Sequence, residues 1–309
     1  MTNILITGGA GFIGCHLVRR LHELGGYNIT VLDDESAGNR QALSGFTHRF
    51  ILGDIRNEAV LTEALRGQQI VIHLAAEAHV RHAITNPAHC FDVNVRGTFQ
   101  LLMHARDAGV EYIINASTGG AITGQGEPPV SEESPAQVLS PYGASKLAME
   151  GFCDAFSASY GMKITSLRFS NIYGEHSWHK NNVVDIFFRK LLAGEELVVY
   201  GDGTQCRDFL YVGDLVDGIL AVMKRGKSNL YQLGSRQPTS LNELLHLIQK
   251  TVGPNFPLQV KYATAIPGEI KDNWCDISKA ERELGFHPTT SFPEGLAKTW
   301  IWFLNAKDI

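Results

Sequence analysis

A tyrosine and a lysine stand four residues apart in "SPYGASK", at Tyr142 and Lys146. The segment is predicted to begin a helix, so the two side chains would share one helical face. An ammonium group stabilises a nearby phenolate and so lowers the phenol pKa, which is ordinarily ~10. A tyrosine tuned in this way can act as a base at neutral pH. The same spacing also arises by chance as a surface pair, so the surrounding motifs must decide.

Two hydroxyls lie ahead of this pair, in "NASTGGAITGQGE". Ser117 and Thr118 end an apolar run that is predicted to be a buried strand. Glycines follow at positions 119, 120 and 124, and no acidic residue is interleaved with them before Glu127. If this stretch lines a chemical site, it therefore contributes hydroxyl groups and bare backbone to that site, but no acidic side chain.

A glycine-rich loop opens the chain in "ILITGGAGFIG". Gly8, Gly11 and Gly14 follow the first predicted strand and begin the first predicted helix. Glycines permit a tight turn and a close backbone approach to a pyrophosphate, which would lie at the helix N-terminus. Asp33 ends the second predicted strand, where a carboxylate binds a ribose diol and repels a 2′-phosphate. The glycine motif and Asp33 together predict a dinucleotide site that prefers NAD to NADP. The glycine motif without the acidic residue would be weaker evidence for such a site.

The elements that position these residues alternate between strand and helix. Near-continuous apolar runs, which are typical of strands covered on both faces, predict a parallel sheet. Such alternation predicts a doubly wound α/β (Rossmann) fold with right-handed crossovers. The predicted strands are Ile4–Thr7, Ile29–Leu32, Phe50–Leu52, Ile70–Leu74, Tyr112–Ala116 and Ile164–Phe169, and the predicted helices are Phe12–Leu24, Ala59–Leu65, Val93–Ala108 and Pro141–Tyr160.

The regular alternation of strands and helices ends after about residue 170, where the predicted loops are longer and glycine and proline become frequent. We expect a smaller C-terminal substrate lobe there. The piece "RDFLYVGDLVDGILAVM" is apolar enough to return to the large sheet. The predicted division is a dinucleotide-binding domain of residues 1–170 plus about 207–235, and a lobe of residues 171–206 and 236–309.

Bulk properties exclude several classes of function. The 309 residues carry a formal net charge of −5, without a basic run suited to nucleic acid. The five cysteines are scattered singly and favour reduced thiols in a cytoplasmic protein over disulfides or zinc. No stretch is long and apolar enough to predict a membrane span, and the glycine-broken N-terminus is unlike a signal peptide. We expect no metal, no nucleic acid and no membrane partner.

Several motifs occur in one order: "TGGAGFIG", "GDI", "HLAA", "NVRGT", "SPYGASK", "RFSNIYG" and "YGDGTQCRDFLYVGDLVDGI". In this order they resemble the extended short-chain dehydrogenase/reductases of the NAD-dependent epimerase/dehydratase family, which act on nucleotide sugars. The resemblance covers nearly the whole chain and ends at "DISKAERELGFHP". It is specific for the family and less so for the activity.

The resemblance implies a set of roles. The tyrosine removes the sugar 4-hydroxyl proton as hydride passes from C4 to NAD, and the lysine holds the nicotinamide ribose. A Ser/Thr hydroxyl shares the proton, and all members begin by forming a 4-keto sugar. The implied cofactor-binding residues are Gly8, Gly11, Phe12, Ile13, Gly14, Asp33, Asp54, Ile55, Leu74, Ala75, Ala76, Asn94, Tyr142 and Lys146.

The resemblance also implies substrate contacts. Asn171 would touch the sugar or its phosphates, and Arg207 would hold the diphosphate with its guanidinium. A second family arginine is replaced by Ile266, so diphosphate binding would rely on other groups. Asn273 lies near a position where a bulky residue excludes 2-acetamido sugars, so an N-acetylhexosamine would fit.

The missing acids favour one reaction. The family's 4,6-dehydratases carry an Asp-Glu pair after the catalytic threonine, at positions that fall here on Gly120 and Ala121. Without a proton donor there, the expected reaction is 4-epimerisation through a transient 4-keto sugar. The usual Ser/Thr position falls on Gly119, so the hydroxyl must come from Thr118, which we favour, or Ser117.

Two other interpretations stay open. "AAEAHV" and "RFSN" resemble sugar dehydratases, and Glu77 or Glu127 would then supply the acid. The second is a non-enzymatic NAD-binding sensor, against which the presence of Tyr142 and Lys146 argues. In the family, the helices predicted at about 93–108 and 141–160 form a dimer interface, so a homodimer is expected. Packing of both helices on the sheet alone is the simpler alternative.

Overall fold

The computed structural model describes residues 1–265 and 270–306. Its strands are β1 Thr2–Thr7, β2 Tyr27–Asp33, β3 Arg49–Leu52, β4 Ile70–His73, β5 Tyr112–Thr118, β6 Lys163–Phe169, β7 Asn171–Tyr173, β8 Leu197–Tyr200, β9 Cys206–Tyr211, β10 Asn229–Leu233, β11 Pro238–Ser240, β12 Val260–Ala263 and β13 Asp272–Asn273. Its helices are α1 Phe12–Leu24, α2 Glu58–Leu65, α3 Val80–Thr85, α4 Pro87–Cys90, α5 Gly97–Asp107, α6 Gly120–Thr123, α7 Pro141–Tyr160, α8 Val183–Ala193, α9 Val212–Arg225, α10 Leu241–Val252, α11 Ser278–Leu284 and α12 Phe292–Asn305. A π-helical turn at Phe91–Arg96 joins α4 to α5.

A seven-stranded sheet carries the site. Its order is β10-β6-β5-β4-β1-β2-β3, and every neighbouring pair is parallel. The strand order reverses between β1 and β4, which opens a crevice at the carboxyl ends of these strands. The predicted doubly wound α/β fold is confirmed.

Both faces of the large sheet are buried, which explains the continuous apolar runs. Alternate side chains of β1 pack to opposite sides, with Ile4 and Ile6 in one core and Leu5 in the other. Burying residues on both faces requires helices on both sides of the sheet. Helix α1 contributes Leu17 and Leu21 to the first core.

A second sheet contains β11, β9 and β13, with β7 also paired to β9. This corrects part of the expectation for "RDFLYVGDLVDGILAVM". Residues 207–211 belong to the second sheet, and the chain returns to the large sheet through α9 and β10. The aromatic core of this lobe includes Phe188, Trp300 and Phe303.

The lobe boundary also differs from the prediction at one helix. Ala280 and Phe286, predicted to lie in the lobe, are packed into the core that contains Leu215 of α9 and Leu233 of β10. Residues 278–286 therefore cover the large sheet. The short helices α3 and α4 were not predicted, because they lie in a polar stretch without a clear apolar period.

Two glycines allow the first strand, the first helix and the end of β4 to meet. Gly8 has φ +69°, and a Cβ there would lie 2.7 Å from the backbone nitrogen of Ala75. A Cβ on Gly14 would lie 2.4 Å from the Gly8 carbonyl oxygen. Backbone atoms cannot move aside as a side chain can, so only glycine fits at either position.

Gly14→Ala should lower the melting temperature, because the new methyl must displace the Gly8 carbonyl. A core clash of this kind costs about 1–3 kcal/mol, or about 2–10 °C in a chain of this size. Gly11→Ala is the matched control, since its Cβ would lie 3.2 Å from the same oxygen. Equal melting temperatures for the two variants, measured by calorimetry, would contradict this account.

Candidate active site

Helix α7 presents the predicted tyrosine and lysine to the end of β5. Ser140 caps the helix by accepting the Gly143 N–H at 3.1 Å, and Pro141 occupies the first turn. The cap fixes the helix start, so Tyr142 and Lys146 lie on the face that packs against the sheet.

Lys146 is held by the strand beneath it. Its side chain is buried, and its Nζ donates a hydrogen bond to the Ala116 carbonyl at 2.9 Å. Burial lowers the pKa of the Lys146 ammonium to about 8. The ammonium is therefore poised to lose its charge only slightly above neutral pH.

Tyr142 meets Thr118, the last residue of β5. Burial raises the pKa of the Tyr142 phenol, the Cys90 thiol adds to the rise, and the nearby Thr118 side chain lowers it. The predicted lowering of the tyrosine pKa by Lys146 is thus not seen in the protein alone. The physical reason is that the loss of water around a phenolate outweighs the stabilisation that these side chains provide.

Ser117 points elsewhere. Its hydroxyl donates to Glu150 Oε1 at 2.5 Å and is buried. Because side chains alternate along a strand, Ser117 and Thr118 cannot face the same group. The structure therefore presents Thr118, and not Ser117, to the phenol.

The glycine loop forms a cradle at the start of α1. No side chain caps this helix at Gly11, so the N–H groups of its first turn are not occupied by a capping side chain. The carboxylate of Asp33 accepts the Ala10 N–H at 2.9 Å and the Glu35 N–H at 2.8 Å. Burial raises the pKa of Asp33, while these two N–H donors lower it. The cradle thus places a carboxylate beside bare backbone and a helix N-terminus, as a dinucleotide requires.

The other predicted cofactor residues differ in how far their side chains are buried. The side chains of Phe12 and Ile55 are buried, and Ile13, Leu74 and Ala75 are packed against the two cores of the sheet. Their backbone would therefore make any cofactor contact. Ala76 is partly exposed just beyond β4.

Asp54 forms an ion pair within its own turn. Its carboxylate accepts the Arg56 N–H at 2.7 Å and pairs with the Arg56 guanidinium at 2.5 Å. This hydrogen-bonded pair lowers the pKa of Asp54. A cofactor contact at Asp54 stays a prediction.

Asn94 connects the end of β4 to α7. Its Oδ1 accepts the Glu77 N–H at 2.8 Å, and its Nδ2 donates to the Glu77 carbonyl at 3.0 Å and to Ser145 Oγ at 2.9 Å. The Ser145 hydroxyl donates to the Tyr142 carbonyl at 2.8 Å. The amide therefore positions the loop and the tyrosine, and its contact with a cofactor stays a prediction.

Two side-chain amides lie against the glycines that follow Thr118. A Cβ on Gly119 would lie 2.5 Å from Gln232 Oε1, and one on Gly120 would lie 2.9 Å from Asn273 Oδ1. Gln232 and Asn273 are both buried. The space that an acidic side chain would need at position 120 is therefore taken by an amide.

The predicted substrate residues cluster on the second sheet. Arg207 donates to the carbonyls of Cys206 and Lys271 at 2.8 Å and to that of Ile270 at 2.6 Å. Asn171 Nδ2 donates to the Asp208 carbonyl at 3.1 Å. These contacts tie β7, β9 and the chain before β13 together. Ile266 lies outside the described residues.

Sequence reasoning missed the buried carboxylate of Asp208, which follows Arg207. Its oxygens accept the N–H groups of Ser235, Arg236 and Cys275 at 2.7 to 3.2 Å. The carboxylate thereby fixes β9 relative to two other segments. Its position directly after the predicted arginine was the available signal.

Glu77 is engaged within its own loop. Its Oε1 accepts the His79 N–H at 2.8 Å, and its Oε2 lies 2.6 Å from His82 Nδ1. Glu127, the other acid considered for dehydration, is exposed beyond Gly124. Within residues 1–265 and 270–306, no group of three acidic, histidine or cysteine side chains is arranged to hold a metal ion.

A family model described as the NAD dependent epimerase/dehydratase family matches residues 4–234. This chain belongs to that family. A putative UDP-glucose 4-epimerase of Methanocaldococcus jannaschii is 37% identical, with 98% of each chain covered. The UDP-glucose 4-epimerase of Thermotoga maritima, solved with UDP-glucose, is 34% identical with a TM-score of 0.94, and 99% of each chain is covered.

Dehydratases are also relatives of this family member. A dTDP-glucose 4,6-dehydratase of Streptomyces griseus is 33% identical, covering 98% of this chain and 94% of its own length. Similarity of this kind establishes the family and leaves the reaction to be argued from the site.

Thr118→Ala should reduce turnover about 10- to 100-fold, because the phenol loses a neighbouring hydroxyl that lowers its pKa and so favours its charged form. Ser117→Ala should cause a smaller loss, because that hydroxyl is bonded to Glu150. Steady-state kcat of both variants, with circular dichroism as a control of folding, is the measurement. A larger loss for Ser117→Ala than for Thr118→Ala would exclude this assignment.

Proposed function

We propose that this protein is an NAD-dependent nucleotide-sugar 4-epimerase, acting on a UDP-hexose or UDP-N-acetylhexosamine through a transient 4-keto sugar. The observation that carries the proposal is the set of residues beside Tyr142, which we call the wall: residues 118–120 of the chain and the amides of Gln232 and Asn273 that lie against them. A hydroxyl at Thr118 is followed by Gly119 and Gly120, and amides lie where acids would stand. Such a wall supports oxidation at C4 and return of hydride, and it offers no acid for elimination of water.

The cradle at the carboxyl end of β1 fits NAD. Its glycines leave room for a pyrophosphate at α1, and Asp33 suits an unphosphorylated ribose. When bound, NAD supplies reversible hydride transfer at the sugar C4. We assign cofactor binding mainly to residues 1–170 plus about 212–235. We assign substrate binding mainly to residues 171–211 and 236–309, apart from residues 278–286, which cover the large sheet.

The chain's own residues manage the proton. Tyr142 takes the 4-hydroxyl proton, and the adjacent Thr118 hydroxyl shares it. Lys146 places a positive charge on the same helical face, anchored by the Ala116 carbonyl. A positive charge favours the phenolate and opposes the burial that raises the Tyr142 pKa.

We assign recognition of the nucleotide sugar to the second sheet. Asn171 and Arg207 lie on β7 and β9, which are paired in parallel. A guanidinium suits a diphosphate because it offers several donors in one plane. Asn273 lies against Gly120, and because its side chain is of moderate size we assign it to the contact with C2, where a hydroxyl or an acetamido group would fit.

The assembly proposed is a homodimer built on α5 and α7. Met103 of α5 is exposed, and a Cβ on Gly151 of α7 would meet nothing within 4 Å. An open, partly apolar helix face of this kind suits a second copy.

The helices of the described residues include none long and apolar enough to cross a membrane. With its five cysteines present as thiols, we propose a cytoplasmic protein.

Purified protein loaded with NAD should interconvert UDP-glucose and UDP-galactose, or their 2-acetamido counterparts, without added reductant. In D₂O the product should carry no deuterium on carbon, because hydride returns to the carbon it left. Tyr142→Phe should reduce kcat about 100- to 10,000-fold while NAD stays bound. Solvent deuterium at C5 or C6 of a dehydrated product, seen by NMR, would instead establish the dehydratase.

Gly151→Arg should convert the dimer into a monomer, because a long charged side chain would enter the α7 contact. Light scattering after size exclusion gives the mass of each variant. Leu24→Arg, which changes an exposed apolar residue on α1, is the control and should remain dimeric. A wild-type protein of monomeric mass would refute the proposed assembly.

A further inference from the structure

A buried ion pair lies one turn beyond Lys146. The side chains of Glu150 on α7 and Arg168 on β6 are 7% and 6% exposed. Arg168 donates from Nε to Oε1 at 3.0 Å and from Nη2 to Oε2 at 2.8 Å. Ser117 of β5 adds a donor at 2.5 Å. One carboxylate therefore joins a helix to two neighbouring strands.

The register of the sheet gives this pair its place. Ser117 and Arg168 are directly opposite each other on β5 and β6. The carboxylate of Glu150 binds both of these residues. Ser117 is the next-to-last residue of β5, so the contact lies close to the end of that strand. It therefore anchors the strand next to the residue that meets Tyr142.

Three consecutive residues of β5 contact one face of α7. The Ala116 carbonyl accepts from Lys146, the Ser117 hydroxyl donates to Glu150, and the Thr118 side chain lies close enough to Tyr142 to lower the pKa of its phenol. The helix residues are spaced by four, so they lie on one line along α7. A shift of the strand at Ser117 would move both neighbouring contacts.

We propose that Glu150, charge-balanced by Arg168, is a positioning residue for the Tyr142–Lys146 pair. It holds the end of β5 in register with α7 and fixes the electrostatic field at the lysine. The inference rests on the roles proposed above for the tyrosine and lysine.

The field at Lys146 comes from several elements. Burial lowers the pKa of Lys146 to about 8, and the negative charge of Glu150 raises it. Removing that carboxylate while Arg168 remains leaves an unbalanced positive charge, so the lysine would lose its proton at lower pH. The other titratable groups near the lysine are Cys90 of α4, Cys153 of α7, Lys180 before α8 and His73 of β4.

A purely structural ion pair is the simpler interpretation. It would predict loss of stability in either single variant and no systematic effect on the pH dependence. A positioning role predicts that the two single variants shift the pH dependence in opposite directions.

The experiment measures kcat and KM against pH for NAD-loaded enzyme. In Glu150→Gln the alkaline limb of kcat should move about half a unit or more to lower pH, and in Arg168→Met a similar distance to higher pH. The double variant should return to nearly the wild-type limb. Limbs that do not move, or that move in one direction in both single variants, would overturn the proposal.

A conservative variant separates the effect of the Glu150 charge from the effect of its side-chain length. Glu150→Asp retains the charge but shortens the side chain, so kcat should fall with KM and the alkaline limb little changed. Glu294→Gln, which removes an exposed ion pair with Lys298 on α12, is the control and should leave the profile unchanged. An active Glu150→Asp enzyme with wild-type kcat would contradict the role of the Ser117 contact.

Folding and function are checked independently. If a single variant fails to fold, the double variant, which leaves no unpaired charge, still tests the proposal, and wild-type kcat in it would contradict the positioning role. An NMR titration of the ¹⁵N-labelled Lys146 side chain reports its pKa without turnover and should follow the same directions. Wild-type enzyme inactive on every nucleotide sugar would contradict the proposed function, whereas unmoved limbs in active enzyme contradict only this inference.

Discussion

The site depends on the docking of the end of β5 against one face of α7. Three successive strand residues contact three helix residues spaced by four, through the Ala116 carbonyl and the side chains of Ser117 and Thr118. The strand is held from both sides by parallel neighbours, so it cannot slide without breaking the sheet. The geometry of the tyrosine and lysine therefore follows from the packing of a central strand.

Burial has opposite effects on the two charges at this site. It raises the pKa of Tyr142 and lowers that of Lys146, so each group in isolation would tend towards its neutral form. Chemistry that needs a phenolate and an ammonium must restore both charges from nearby groups. The buried pair of Glu150 and Arg168 matters for this reason, because Glu150 lies one turn beyond Lys146 on the same helix and its charge raises the lysine pKa.

The wall after Thr118 limits the reactions open to a 4-keto sugar. Buried amides of Gln232 and Asn273 lie against Gly119 and Gly120, so no acid from that turn faces the sugar. Glu127 is exposed beyond Gly124, and Glu77, whose charge raises the pKa of Tyr142, is bonded within its own loop. A dTDP-glucose 4,6-dehydratase is among the relatives of this chain, so the reaction has to be argued from the side chains at this wall.

The sequence by itself determined the fold class, the glycine loop with Asp33 and the Tyr142–Lys146 spacing, because these depend on local periodicity and short motifs. It did not determine which hydroxyl meets the phenol, that 207–211 would join the second sheet, or that Glu150 would pair with Arg168. Only the tertiary structure decided these points. Strand alternation, sheet register and contacts between distant segments set them, and none of the three is visible within a short window of sequence.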